Sequence, residues 1–192
     1  MSVVVNAPPI ERYRLTSNRY HQMVKMGVFA EDERIELIEG EISPMSPIGS
    51  EHMGVVNQLA AILIAQLRRR AIVGIQGPIR LDDSSEPQPD LVVLTPRQDF
   101  YKRALPEPAD VLLVIEVADS SLAYDRSIKT PLYARAGIAE TWIINLIDRW
   151  IEVYRDPAPV GYTTQYKILT GKTIAPQTFT DVTIQVSELL GE

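Results

Sequence analysis

Apolar residues recur along the chain with two periods, and the switching between them sets out the elements. Thr16 or Ser17 can cap a short helix over about 18–26, which Gly27 stops. The stretch Arg34-Ile35-Glu36-Leu37-Ile38-Glu39-Gly40-Glu41-Ile42 then alternates about Glu39-Gly40, the pattern of a hairpin with a two-residue turn. In that register Ile38 faces Glu41, Leu37 faces Ile42 and Glu36 faces Ser43. Glu36 and Glu41 therefore share one side of the ribbon. Pro44 and Pro47 mark a loop. Met53, Val56, Leu59, Ala60, Leu63 and Leu67 return at helical spacing and predict a long helix over about 51–70. Arg68-Arg69-Arg70 closes it, where cations suit the helix dipole.

Strands are predicted at 72–76, 79–81 and 90–94, with a polar loop over 82–89 and a loop rich in charge and proline over 95–110. The most apolar run, Val111-Leu112-Leu113-Val114-Ile115-Glu116-Val117, reads as a central strand covered on both faces. A helix lies within 121–136 and ends at Gly137. Pro131 must begin a turn of it or kink it. Residues 141–146 and 150–154 alternate as a hairpin about Asp148, with Trp142 and Trp150 as core residues. Short strands follow at 162–169, 173–174 and 182–184, and Ser187 can cap a last helical turn. The order of helix, strands, helix, strands predicts an α/β (α+β) fold, a mixed sheet with helices packed on it. The expected organisation is a flexible arm over 1–15 and a single domain over 16–192.

Composition narrows the chemistry. A chain of 192 residues buries roughly 70% of its unfolded surface and folds without disulfides or structural metal. It has no cysteine, which excludes thiolate metal sites, iron–sulfur clusters and cysteine nucleophiles. With only His21 and His52, a multi-histidine metal site is not expected. Asp and Glu number 25 against 19 Lys and Arg, a net charge of −6, so no whole-molecule basic field attracts nucleic acid. An anionic partner must be met by a local basic patch, or by metal ions held on carboxylates. The N-terminus lacks the basic segment of a signal peptide, and the longest apolar stretch, near 59–67, is too short to span a bilayer. The expectation is a soluble cytoplasmic protein with no membrane association.

Two carboxylates stand out against apolar strands. Glu116 follows five apolar residues and precedes Val117, where an unpaired charge costs several kcal/mol. It either emerges at a strand end or belongs to a site. Asp90 opens the run Leu91-Val92-Val93-Leu94, and two acids on adjacent strands make a divalent-cation site of hard oxygen ligands. Asp125, Lys129 and Tyr133 follow at intervals of four, on one helix face. A surface ion pair explains that spacing as well as a site does. A strand-to-helix turn can bring Lys129 to Glu116, thirteen residues earlier.

Taken in order, Glu36-Leu37-Ile38-Glu39-Gly40-Glu41, His52, Gln88-Pro89-Asp90-Leu91-Val92-Val93-Leu94, Val114-Ile115-Glu116-Val117, and Asp125 to Ile143 with Lys129, Tyr133, Gly137 and Trp142 resemble the Uma family of bacterial restriction-type endonucleases. That family lies in the PD-(D/E)XK nuclease superfamily. The resemblance runs from about 16 to 156 and implies a restriction-endonuclease-like core, a mixed sheet of roughly four strands flanked by helices. It makes Asp90 the first acid and Glu116 the second, both metal ligands, with Lys129 catalytic and Glu41 an additional acid and ligand. The usual lysine position, two after the second acid, holds Ala118 here, and Lys129 matches a lysine displaced to the next helix. Glu36, His52, Asp125 and Tyr133 match supporting positions. Asn145 stands where the pattern has an acid, at a position read as structural.

The resemblance implies Mg²⁺ or Mn²⁺ as cofactor, DNA as partner and phosphodiester hydrolysis as reaction. A symmetric homodimer is expected, because cutting two strands calls for two sites. Arg97, Lys102 and Arg103, interleaved with Phe100 and Tyr101, can contact phosphates and stack a base, or form a solvated loop. Arg68-Arg69-Arg70 is explained by the helix dipole alone. Two other readings stay open: a catalytically inactive DNA- or protein-binding member of the fold, and an unrelated metal-dependent hydrolase of a small phosphate ester.

Overall fold

The chain's structure is a computed structural model that describes residues 12–191. The predicted arm falls mostly on residues outside that range. Of its described part, Leu15 donates its N–H to the Gly40 carbonyl at 2.9 Å, and Arg14 packs against Gly40, so residues 12–15 lie along the hairpin.

Helix α1 (Ser17–Lys25) is capped by Thr16, whose hydroxyl accepts from the Arg19 N–H. Strands β1 (Ile35–Ile38) and β2 (Glu41–Pro44) pair in the predicted register, turning on Glu39 and Gly40, both at positive φ. Helix α2 (Ser50–Leu67) follows the proline loop. It ends earlier than predicted. Arg68 takes a φ of 56° and stops it, so Arg68–Arg70 lie beyond the last turn, with Arg70 folded back onto the Gln66 carbonyl and Asp181.

The main sheet has six strands rather than about four, in the order β3 (Ile72–Ile75), β4 (Leu91–Leu94), β5 (Val111–Ala118), β6 (Glu140–Asn145), β7 (Trp150–Ala158) and β8 (Gly161–Leu169). Only β5 and β6 run parallel; the other neighbours are antiparallel. The β5–β6 connection is the helix predicted within 121–136, in three pieces: α3 (Leu122–Tyr124), a π turn (Asp125–Lys129) and α4 (Thr130–Arg135). Pro131 has no N–H to continue the α-helical ladder and its ring needs room, so the chain widens into the π turn just before it. A small antiparallel pair, β9 (Thr173–Ile174) and β10 (Ile184–Gln185), leads into α5 (Val186–Leu190).

Residues 79–81, predicted as a strand, form a tight buried loop. Ile79 and Leu81 are in the core, but Ile79 N–H donates to the Pro87 carbonyl, Arg80 N–H to Pro106 and Leu81 N–H to Ser85. Pro87 and Pro106 accept and have no N–H to return, so no ladder propagates.

Strand β5 is covered on both faces, as expected of its apolar run. Leu113, Ile115 and Val117 face the layer of α2, α5 and β9–β10, with Leu59, Leu63 and Leu190. Val114 faces the layer carrying Leu132, Tyr133 and Ile138. By period two, Glu116 shares that second face.

Candidate functional site

The β4–β5 register pairs Leu91 with Ile115, which sets Asp90 next to Glu116 at one end of the sheet. The Asp90 N–H points to Glu116 Oε2 at 3.4 Å, and the Val117 N–H donates to Asp90 Oδ2 at 2.9 Å. The start of α2 brings His52, whose Nε2 donates to Asp90 Oδ2 at 3.0 Å. Gln76 Nε2 donates to the other Asp90 oxygen at 3.3 Å.

Glu116 is 3% exposed, and its Oε1 accepts from the Tyr133 hydroxyl at 2.6 Å and from Lys129 Nζ at 2.9 Å. Lys129 also stands 3.4 Å from Glu36 Oε2. Glu36 in turn accepts from the Gln88 N–H at 3.0 Å and from the Tyr124 hydroxyl at 3.3 Å, while the Ser121 hydroxyl donates to Asp125 at 2.6 Å. Asp125, Lys129 and Tyr133 hold their one-face spacing through the π turn.

Burial pushes the Glu116 carboxyl up to about 8; Lys129 opposes this, and Asp125 and Asp90 add to it. Asp125 is likewise raised to about 6 by burial. Burial would lower the Lys129 ammonium, but Glu116, Glu36 and Asp125 outweigh it and hold the proton on. Burial would raise Asp90, but His52 first, then the Val117 N–H and Gln76, hold it below its usual value. His52 is raised against its own desolvation by the same bond. Four carboxylates thus share one lysine and one histidine.

These groups line a cleft of about 290 Å³, closed on one side by the Pro44–Ile48 loop and edged by Arg34 and Asp119. Among the described residues no three acidic or histidine side chains form a ready cage for a metal. Mg²⁺ does not require one, since it binds through one or two carboxylates and completes its shell with water and substrate oxygens. Two hard carboxylates on adjacent strands, within an excess of buried negative charge, are a donor set that fits such an ion.

Of the residues singled out in the sequence, Asp90, Glu116, Lys129, Glu36, His52, Asp125 and Tyr133 come together. Glu41 does not. Its side chain is half exposed, pairs with Arg12 at 3.3 Å and Arg14 at 3.1 Å, and lies outside the cleft lining. It shares the ribbon face with Glu36 but stands beside the turn, two residues or about 7 Å further out. Arg97, Lys102 and Arg103 also lie away from the acids. They follow the far end of β4, about 13 Å along the strand from Asp90. Tyr124, Gln76, Gln88 and Arg34 are the site neighbours that sequence reasoning missed. Tyr124 lies five residues before Lys129, a spacing that reaches the same partner only across a π turn. Asn145 is structural: its side chain accepts from the Ile147 and Asp148 N–H groups and donates to Asp148 and Glu152.

Comparison with known proteins relates the chain to a family and to solved structures. The sequence profile of Uma2, described as "Putative restriction endonuclease", matches residues 17–187. No curated protein matches the chain. Among solved structures, the chain is similar to a protein from Anabaena variabilis described as "a putative nuclease belonging to DUF820". The two share 15% identity with a TM-score of 0.73, over 92% of this chain and 97% of that one, a likeness of fold.

Proposed function

Because the chain belongs to the Uma2 family of PD-(D/E)XK-like nucleases, we propose that it is a metal-dependent endonuclease hydrolysing DNA phosphodiester bonds. The observation that carries this reading is the triad of Asp90, Glu116 and Lys129, with Lys129 Nζ 2.9 Å from a Glu116 oxygen and the Asp90 backbone against the other. Asp90 and Glu116 would hold Mg²⁺ or Mn²⁺, which when bound supplies charge neutralisation and a more acidic water at the phosphate.

The chain's own residues then have distinct tasks. Tyr133 fixes the Glu116 carboxylate by its hydrogen bond. His52, Gln76 and the Val117 N–H together fix Asp90. Lys129, kept protonated by its carboxylate neighbours, stabilises charge developing on the phosphate or orients the attacking water. Glu36 and Asp125 keep that ammonium in place, and Glu36 rather than Glu41 is the hairpin acid in the cleft. Arg97, Lys102 and Arg103 would meet DNA only beyond the cleaved bond. The reading includes a symmetric homodimer acting in the cytoplasm. Among the described residues no helix is long and apolar enough to cross a membrane.

The test is cleavage of supercoiled and single-stranded DNA with Mg²⁺ or Mn²⁺, beside Glu116→Ala and Lys129→Ala. Metal-dependent nicking lost in both variants is the expected result. No cleavage by any preparation, together with no metal binding by calorimetry, would leave a binding protein on a nuclease fold.

A further inference from the structure

A second groove, of about 590 Å³, lies at the other end of the β3–β4 ribbon, between the C-terminal end of α2, the edge strand β3 and the loop after β4. Among the described residues its lining includes Arg68, Arg69 and Arg97 and no carboxylate, in a chain whose net charge is −6. Arg68 and Arg69 are exposed and have no ion-pair partner among the described residues. Arg68 is the C-cap of α2 and Arg69 follows it, so both side chains stand at the groove where the helix ends.

The loop facing them is braced. Arg97 pairs with Asp99 at 2.6 Å, donates to the Ala104 carbonyl and stacks on the Tyr101 ring at 4.0 Å. The Tyr101 hydroxyl donates to the Thr95 carbonyl at 2.9 Å. Phe100 and Tyr101 both take positive φ, 52° and 60°, a conformation that costs aromatic residues on the order of 1–3 kcal/mol. The strained pair turns Tyr101 inward and leaves Phe100 66% exposed in the groove wall. A rigid loop that presents an aromatic face opposite two unpaired guanidiniums has the makings of a stacking platform with phosphate contacts.

We propose that this groove binds single-stranded nucleic acid, taking phosphates on Arg68 and Arg69 and an unpaired base on Phe100. The inference deepens the nuclease reading and rests on it for the class of ligand. Position supports it as well as charge. Edge strand β3 runs from the groove to the acids, because Ile75 pairs with Leu91, the neighbour of Asp90. The interval is about 13 Å, short enough for a single strand of a few nucleotides to cover. A strand laid along that edge joins the groove to the cleft. Charge carried only by planar guanidiniums, beside an exposed aromatic ring, fits phosphate and base better than it fits a protein surface.

The experiment measures binding of a fluorescent oligothymidylate, and of a duplex of equal length, by anisotropy in EDTA. Oligothymidylate binds more tightly than duplex. Arg68→Glu with Arg69→Glu weakens it at least tenfold and flattens the slope of log K against log salt by about 1.4, two phosphate contacts' worth. Phe100→Ala weakens it about tenfold with the salt slope unchanged. Arg19→Glu with Lys25→Glu, an equal charge change on α1, leaves the affinity as it was. Equal loss in that control, wild-type affinity in the groove variants, or a preference for duplex overturns the proposal. So does a dimer, seen by light scattering, that the Arg68/Arg69 reversal dissolves while no oligonucleotide binds. Groove-dependent binding by a protein that never cleaves DNA supports the groove and overturns the nuclease reading alone. Metal-dependent cleavage with groove variants that bind normally overturns the groove alone.

Discussion

Lys129 Nζ stands 2.9 Å from Glu116 Oε1, although thirteen residues of chain separate them. The nearer position on the same strand face, Ala118, is sealed with Leu122, Ile143 and Tyr154 and leaves no room for a charge. The ammonium comes instead from the π turn that Pro131 imposes on the crossover helix. Lys129→Ala should lower kcat by about 10²–10³, the loss typical of removing one transition-state donor. Lys129→Arg should recover little, because a planar guanidinium does not fit a point-charge position walled by Glu116, Glu36 and Tyr133. Metal titration by calorimetry should still show binding in both variants. Wild-type turnover in Lys129→Ala would remove this residue from the chemistry.

The raised Glu116 carboxyl makes metal binding a proton exchange. Burial raises the Glu116 carboxyl to about 8 even with Lys129 opposing it, so a divalent cation competes there with a proton. Affinity measured by calorimetry should strengthen by about tenfold per pH unit up to about pH 8, then level off. Stability of the metal-free protein follows the same group. A carboxyl raised from 4.5 to about 8 contributes stability that is complete below its unfolded value and is lost as pH rises through 8. His52, also raised, acts in the same direction. Metal-free protein should therefore melt lower at pH 9 than at pH 5, and Mg²⁺ should restore most of the difference. Glu116→Gln should flatten the profile and abolish the metal-dependent gain.

Glu152 on β7 shows the opposite sign. It is 1% exposed and accepts from Arg126 Nε at 2.9 Å, Trp150 Nε1 at 3.0 Å and the Tyr154 hydroxyl at 2.7 Å. Burial alone would raise it, but Arg126 first, then Trp150, Tyr154 and Asn145, pull it down to about 2. A depressed carboxylate contributes stability that is full above its unfolded value and lost as pH falls through the folded one. The drop from 4.5 to about 2 corresponds to roughly 3 kcal/mol. Denaturant unfolding from pH 5 to 2 should show that loss in the wild type and much less of it in Glu152→Gln. Arg126 belongs to the π turn, so the same variant should also reduce turnover without changing metal affinity.

Much of this arrangement was legible in the chain. The hairpin register followed from Glu39-Gly40 and strict alternation, and Asp90 and Glu116 were visible as charges bordering apolar strands. The opposed ends of β4 were legible too, since Asp90 precedes the strand and Arg97 follows it, but a list of basic residues hides that polarity. The end of α2 was not legible. Arg68 continues a good helical pattern, and only its left-handed backbone shows that the arginines leave the helix. The loop at 79–81 reads as a strand because burial gives it strand composition, while its hydrogen bonds are decided by distant Pro87 and Pro106.

The choice between Glu36 and Glu41 shows what face parity alone leaves out. Both lie on one side of the ribbon, but depth depends on what covers it. The chain at Glu86–Gln88 lies against β1, with the Glu86 N–H on the Leu37 carbonyl and the Gln88 N–H on Glu36, and this seals Glu36 beside Lys129. Among the described residues nothing comparable covers Glu41, whose partners are Arg12 and Arg14 at the surface. An exposed pair of that kind is worth at most about 1 kcal/mol. Glu41→Ala should therefore leave cleavage within about twofold of wild type and move Tm little. Glu36→Gln should cost at least about tenfold in kcat, because Lys129 loses one of the carboxylates that hold its ammonium in position. It should spare metal affinity, since Asp90 and Glu116 remain. The paired assay on DNA cleavage and calorimetry decides it: a large loss in Glu41→Ala with none in Glu36→Gln would mean that the working site draws the outer acid in.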